Sequence, residues 1–118
     1  MSIQAVLGDR ALILNFSSWA AVTNLRSRIE IPYDSIDELQ AGTFEFPLTA
    51  IKRTGIASLN YKAGVFIINE KKYLLSYYDA SRVVIIGLKG HEFNKIVIES
   101  EAPEELVNNI LLRSSYGR

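Results

Sequence analysis

The fold is decided by residues 65–99, which read VFIINEKKYLLSYYDASRVVIIGLKGHEFNKIVIE. Short runs rich in β-branched and aromatic residues alternate there with polar or glycine-containing turns, which is typical of successive β-strands. The pattern predicts an antiparallel meander of four strands at residues 65–68, 73–78, 83–88 and 95–99. Residues 83–86 are all apolar, so we expect them to form the central, most covered strand, buried on both faces.

The N-terminal part predicts a hairpin followed by a short helix. Gly8-Asp9 separates the apolar runs 3–7 and 11–16, and such a pair between two strand-like runs favours a β-hairpin. A serine pair that can cap a helix then precedes apolar residues at helical spacing. We therefore expect a short helix near residues 18–25.

The strand pattern continues through residues 27–41 and is absent from residues 42–63. Ile29 and Ile31 fall on one face of residues 27–31, opposite two charged residues, which indicates a half-buried strand. After a proline-containing turn, residues 36–41 are predicted to form the next strand. Residues 42–63 have no clear period, so they form either an ordered functional loop or a strand that the pattern does not reveal.

The C-terminal segment predicts an amphipathic helix that begins at Pro103. Proline suits the first helical position, and the two glutamates that follow it suit the positive end of the helix dipole. A short amphipathic helix is marginal alone, so it must pack on the sheets. The side chains expected to be buried there are those of Leu106, Ile110 and Leu111.

Length and composition limit the classes of protein that remain. A chain of 118 residues supports one hydrophobic core, so we expect a single domain over residues 1–118. Its 13 basic and 13 acidic residues cancel, which argues against a nucleic-acid binder, and the lack of cysteine excludes disulfides and thiolate metal sites. The strand pattern predicts a mainly-β (α+β) domain: either a curved sandwich or partial barrel plugged by the terminal helix, or an open sheet with that helix on one face.

Three segments resemble the small bacterial pleckstrin-homology-like (PH-like) domains. RIEIPYDSI at 28–36 is similar to their strand–Pro–turn–strand element, YKAGVF at 61–66 to their Tyr-x-x-Gly-x-Phe motif, and EAPEEL at 101–106 to the start of their last helix. The chain departs from the family at 59–60, where Leu-Asn replaces Pro-Gly. The resemblance implies a PH-like barrel or sandwich of about seven antiparallel strands closed by a C-terminal helix. It also implies a non-enzymatic module.

Sequence motifs of catalysis are missing, so we predict no catalytic residue, no metal site and no cofactor. His91 is the sole histidine, it lies in a predicted turn, and no Gly-x-Ser-x-Gly motif accompanies it, so we expect a solvated turn residue. The Gly-x-x-Gly match at 87–90 lies between predicted strands, which indicates a tight turn rather than an RNA-binding loop. The acidic cluster of Asp34, Asp37 and Glu38 is expected to be a solvated face.

Two groups of side chains are candidates for binding. A small basic patch that suits an anionic lipid or a phosphate-bearing ligand comprises Arg26, Arg28, Lys52, Arg53 and Lys62. An apolar group that either plugs one end of the core or forms an exposed interface comprises Phe44, Phe46, Leu48 and Ile51.

The functional expectation is a non-enzymatic interaction module that assembles with itself or with an unknown protein partner. The alternative is peripheral binding of an anionic lipid or phosphate-bearing ligand through the basic patch. The sequence begins without a secretory-signal pattern, and no apolar run approaches the roughly 20 residues of a membrane-spanning helix. We therefore expect a cytoplasmic protein that contacts membranes at most peripherally.

Overall fold

The computed structural model describes residues 3–16 and 28–116, with side chains described as far as residue 114. Its elements in chain order are β1 (Ile3–Leu7), β2 (Ala11–Phe16), β3 (Arg28–Pro32), a 3-10 turn (Tyr33–Ser35), β4 (Ile36–Gly42), β5 (Ile51–Ser58), β6 (Tyr61–Ile68), β7 (Lys71–Tyr77), β8 (Val83–Leu88), β9 (Lys95–Glu99) and helix α1 (Pro103–Tyr116). The predicted mainly-β class is therefore confirmed. The helix expected near residues 18–25 falls outside the described residues.

The described strands form a three-stranded sheet, in the order β1-β2-β3, and a six-stranded sheet, in the order β4-β8-β9-β7-β6-β5. They do not close into a barrel. β7 and β9 are parallel neighbours, and β8 lies on the far side of β9, so the predicted antiparallel meander is wrong at this point. The segment after β7 therefore passes β9 before it enters β8. The Glu99 carboxylate at the end of β9 accepts hydrogen bonds from the backbone N–H groups of Tyr78 and Asp79 in this segment.

The six-stranded sheet is covered on both faces. One face packs against the three-stranded sheet and α1, and the other packs beneath the segment between β4 and β5. β8 contributes Val84 and Ile86 to the first core and Val83 and Ile85 to the second. Every residue of β8 is buried, which confirms the predicted burial of residues 83–86 on both faces. The strand is not central as predicted, because it is the second of the six, with β4 on one side and β9 on the other.

Helix α1 lies against β4, β8 and the 3-10 turn, and its buried stripe is narrower than predicted. Ile110 is completely buried, and Leu106 packs against the same core. Leu111 is 48% exposed, so the prediction of its burial is wrong. Consecutive helical residues differ by about 100° around the axis, and the step from Ile110 carries Leu111 away from the sheet.

β5 is the strand that the irregular pattern of residues 42–63 concealed. Its register against β6 shifts between Lys52 and Thr54, which places an extra residue, Arg53, in the strand. A bulge of this kind breaks the alternation of side chains from which a strand is recognised.

Candidate functional site

The segment between β4 and β5 divides into a buried part and an exposed part. The Phe46 ring meets the Phe66 ring edge-on at a centroid distance of 5.4 Å, and Phe44 lies 5.9 Å from Tyr77. These two phenylalanines therefore cover the second core, as the plug alternative requires. Leu48, which follows them, is fully exposed.

The exposed apolar residues of this region follow strand β5, the last strand of the six-stranded sheet. Ile51 opens the strand and is 62% exposed, and Leu59 follows its last residue and is 95% exposed. An edge strand offers backbone N–H and C=O groups to another chain, and exposed apolar side chains beside it add to its tendency to pair. We call the surface formed by Leu48, strand β5 and Leu59 the β5 edge.

Two glycines hold β5 close to β6. Gly55 and Gly64 are cross-strand partners with φ angles of 119° and 148°. A Cβ atom at Gly64 would lie 2.1 Å from the carbonyl oxygen of Thr54, and one at Gly55 would lie 2.1 Å from that of Ala63. No side chain fits at that distance, so the position of the β5 edge depends on this glycine pair.

The predicted basic residues lie on different sheets. Arg28 is in β3 and forms an ion pair with Glu30 at 3.0 Å. The Lys62 ammonium lies 4.8 Å from the centre of the Phe46 ring and donates a hydrogen bond to the carbonyl of Ser58. Lys52 and Arg53 are exposed on β5. Arg26 is outside the described residues. In the predicted acidic cluster, Glu38 forms an ion pair with Lys95 at 3.1 Å.

A groove of about 640 Å³ lies between the three-stranded sheet, the ends of β7 and β9, and the first turns of α1. The inward side chains of β1 and Ile98 of β9 line it with apolar surface. Tyr61 and Tyr78 also line it, with their rings stacked at a centroid distance of 4.1 Å. The charged residues in its lining are Arg82, Glu99, Glu101 and Glu105.

Arg82 and Glu99 form an ion pair with each other, and both interact with the loop between β7 and β8. Arg82 forms ion pairs with Glu99 at 3.3 Å and with Asp79 at 3.6 Å. Hydrogen bonds from the hydroxyl and the N–H of Ser81 hold the pKa of Asp79 below its usual value. This cluster ties the β7–β8 loop to β9 and leaves Arg82 neutralised beside the groove.

Ser76 of β7 also lines the groove, and it is not among the binding residues predicted from the sequence. Its side chain shares the face of Leu74, toward the first core, and the residue is only 5% exposed. Its hydroxyl forms no hydrogen bond with any residue in the described ranges 3–16 and 28–114. A single serine inside the buried run YLLSY was the available signal, because a buried hydroxyl normally has a partner.

His91 lies in the β8–β9 loop, but it is not the freely solvated side chain that was expected. Its Nδ1 accepts a hydrogen bond from the Phe93 N–H at 3.2 Å, so Nε2 carries the proton and donates to the Glu30 carbonyl oxygen at 3.1 Å. The imidazole therefore links the six-stranded sheet to β3.

Replacing this imidazole tests the link. The variant His91→Ala is expected to lose about 1 kcal/mol of unfolding free energy, because two partly exposed hydrogen bonds disappear. Lys89→Ala, in the same loop, is the control and should change stability by less than about 0.5 kcal/mol. Urea denaturation measures both variants, and equal effects would show that His91 is an ordinary surface residue.

The described residues offer neither a metal-binding cluster nor a membrane-spanning helix. No group of three or more His, Cys, Asp or Glu side chains that could hold a metal ion occurs among them. The helix that they contain is not long and apolar enough to cross a membrane. In comparisons with known proteins, no family model, no curated protein and no solved structure matches this chain.

Proposed function

We propose that this protein is a non-enzymatic interaction module that assembles with a second copy of itself through the β5 edge. The observation that carries the proposal is an edge strand flanked at both ends by exposed apolar side chains, with Ile51 at its start and Leu59 just past its end. The PH-like resemblance of the sequence supports the non-enzymatic part of the proposal.

The sequence of β5 is self-complementary when two copies run antiparallel. Pairing over the whole strand sets Ile51 opposite Ser58 of the second copy, which brings Leu59 of that copy beside Ala50 and Ile51. The twofold axis repeats this apolar contact at the other end of the pair, as isologous interfaces require. The bulge at Arg53 interrupts regular pairing in the middle, so the apolar ends contribute most of the stability.

The charges of β5 are compatible with this arrangement. The same register sets Lys52 opposite Ala57 of the second copy, so no cation directly faces another. The two Lys52 residues are then about 17 Å apart at 3.3–3.4 Å per residue, which exceeds the Debye length of about 8 Å at physiological ionic strength. A formal net charge of zero leaves little long-range repulsion between whole copies.

Binding of an anionic lipid surface is the weaker alternative. Of the predicted basic residues, Arg28 is neutralised by Glu30, and Lys62 lies against Phe46. Lys52 and Arg53 remain exposed, and two cations provide only a small electrostatic attraction to a membrane.

The variant Leu59→Lys tests the proposal. Burying one leucine is worth about 1.5–3 kcal/mol, and the symmetric dimer loses two such contacts, so the dimer dissociation constant should rise at least about 100-fold. Size-exclusion chromatography with light scattering, over a tenfold range of micromolar concentrations, measures the shift from dimer to the 13.2 kDa monomer.

Leu112→Lys is the matched control, because Leu112 is an exposed leucine on helix α1, away from β5. It should leave the wild-type dimer intact. A wild-type protein that stays monomeric at every concentration, or a dimer that Leu59→Lys does not weaken, contradicts the proposal. Binding of the monomer to vesicles containing anionic lipid would then favour the alternative.

A further inference from the structure

We infer that the groove between β1, the ends of β7 and β9, and α1 binds a small organic cation, a protonated amine carried on an apolar body. This site is separate from the β5 edge, and the inference does not depend on self-assembly. Its volume of about 640 Å³ is within the range of about 300–1,000 Å³ found for small-molecule sites.

The floor of the groove accounts for the apolar body of the ligand. Ile3, Ala5 and Leu7 of β1 and Leu106 of α1 present aliphatic surface to it, and each is only partly buried. Apolar surface of this kind is covered favourably by an aliphatic or aromatic group, at about 25 cal/mol per Å² removed from water.

The hydroxyl of Ser76 is the observation that indicates a ligand. It is buried among apolar neighbours on the groove side of β7, and within the described residues it has no hydrogen-bonding partner. Ser76 pairs in register with Ala63 on one side and Ile98 on the other, and neither side chain can form a hydrogen bond. A hydroxyl that is buried without a partner is unfavourable, and a ligand N–H group would supply the missing hydrogen bond.

The charges around the groove select a cation. Arg82 and Glu99 neutralise each other, whereas Glu101 and Glu105 form no ion pair with any described residue. Their carboxylates give the groove an excess of negative charge, which repels phosphates and carboxylates and attracts an ammonium group. The stacked rings of Tyr61 and Tyr78 add electron-rich faces nearby, and such faces also favour cations.

Three probes with a similar body and different charge test the inference: 2-phenylethylamine, 2-phenylethanol and 3-phenylpropionate. Titration of the ¹⁵N-labelled protein is followed by chemical-shift changes at the backbone amides of Ser76 and of residues 99–106. The amine should give saturable shifts there, with a dissociation constant at least tenfold lower than that of the alcohol, and the carboxylate should give none. Amine and alcohol that bind equally, or an amine that causes no shifts in these residues, overturns the inference.

Substitutions test the two glutamates and the Ser76 hydroxyl separately. The double variant Glu101→Gln, Glu105→Gln should remove the tenfold preference for the amine over the alcohol. Glu104→Gln is the control, because Glu104 lies on the same turn of α1 but does not line the groove. Ser76→Ala should weaken amine binding several-fold without lowering the melting temperature, since the buried hydroxyl forms no hydrogen bond with any described residue. Glu104→Gln acting as strongly as the double variant, or Ser76→Ala leaving amine binding unchanged, also contradicts the inference.

Discussion

Deleting residues 103–118 is expected to abolish cooperative unfolding of the domain. Ile110 is completely buried in the first core, and Leu106 and Val107 pack against it. Removing one large core side chain typically costs about 2–5 kcal/mol, and a whole domain is stable by only about 5–15 kcal/mol. Loss of the three together is therefore comparable to the whole stability of a domain, and the deletion also exposes the sheet surface that α1 covers.

Point variants test the same helix with less disruption. Ile110→Ala should lower the free energy of unfolding by about 2–5 kcal/mol. Leu112→Ala, on the exposed side of α1, should change it by less than about 0.5 kcal/mol. Urea denaturation followed by circular dichroism gives both values. A truncated protein that melts cooperatively at the wild-type temperature would show that α1 is not part of the core.

Gly64→Ala is expected to lower the free energy of unfolding by about 3 kcal/mol or more and to detach β5 from β6. The alanine Cβ would lie 2.1 Å from the Thr54 carbonyl oxygen and 2.7 Å from the Cα atom of Gly55, and both are backbone atoms that cannot rotate away. The φ angle of 148° adds conformational strain, which costs of order 1–3 kcal/mol for a residue with a side chain.

Gly42→Ala separates the two causes, because Gly42 has a nearly identical φ of 150° and nothing within 4 Å of the added Cβ atom. Gly42→Ala should therefore lower the free energy of unfolding only by the cost of the strained backbone. Denaturation curves give the energies, and hydrogen exchange at the amides of β5 reports whether that strand has separated. If the two alanine variants are equally destabilised, the close approach of Gly55 and Gly64 has no energetic consequence.

Separation of β5 also has a functional consequence under the proposed assembly. Any Gly64→Ala protein that remains folded should be monomeric, because its β5 edge is no longer held against β6 in the position that the proposed pairing needs. Light scattering on the folded fraction provides the measurement. A folded Gly64→Ala dimer would place the interface on another surface.

Most of the local structure of the described residues could be predicted from the order of the amino acids. The alternation in β3 correctly placed Ile29 and Ile31 inside, and the turn at Gly8-Asp9 correctly separated β1 from β2. The wholly apolar run of β8 predicted its burial on both faces. These features depend on backbone preferences and on side-chain periods of a few residues, which neighbouring positions in the chain express directly.

The strand order, the β5 edge and the groove depend on tertiary contacts. A pattern of alternating residues identifies a strand but does not name its neighbour, so the parallel pairing of β7 and β9 was not visible. β5 remained hidden because its bulge breaks the alternation, and its glycine has a role only when Gly64 lies opposite it. The exposure of Leu111 and the burial of the Ser76 hydroxyl, which has no partner in the described part of the chain, likewise depend on which elements pack nearby. Contacts between residues distant in sequence set these properties, and no local period records them.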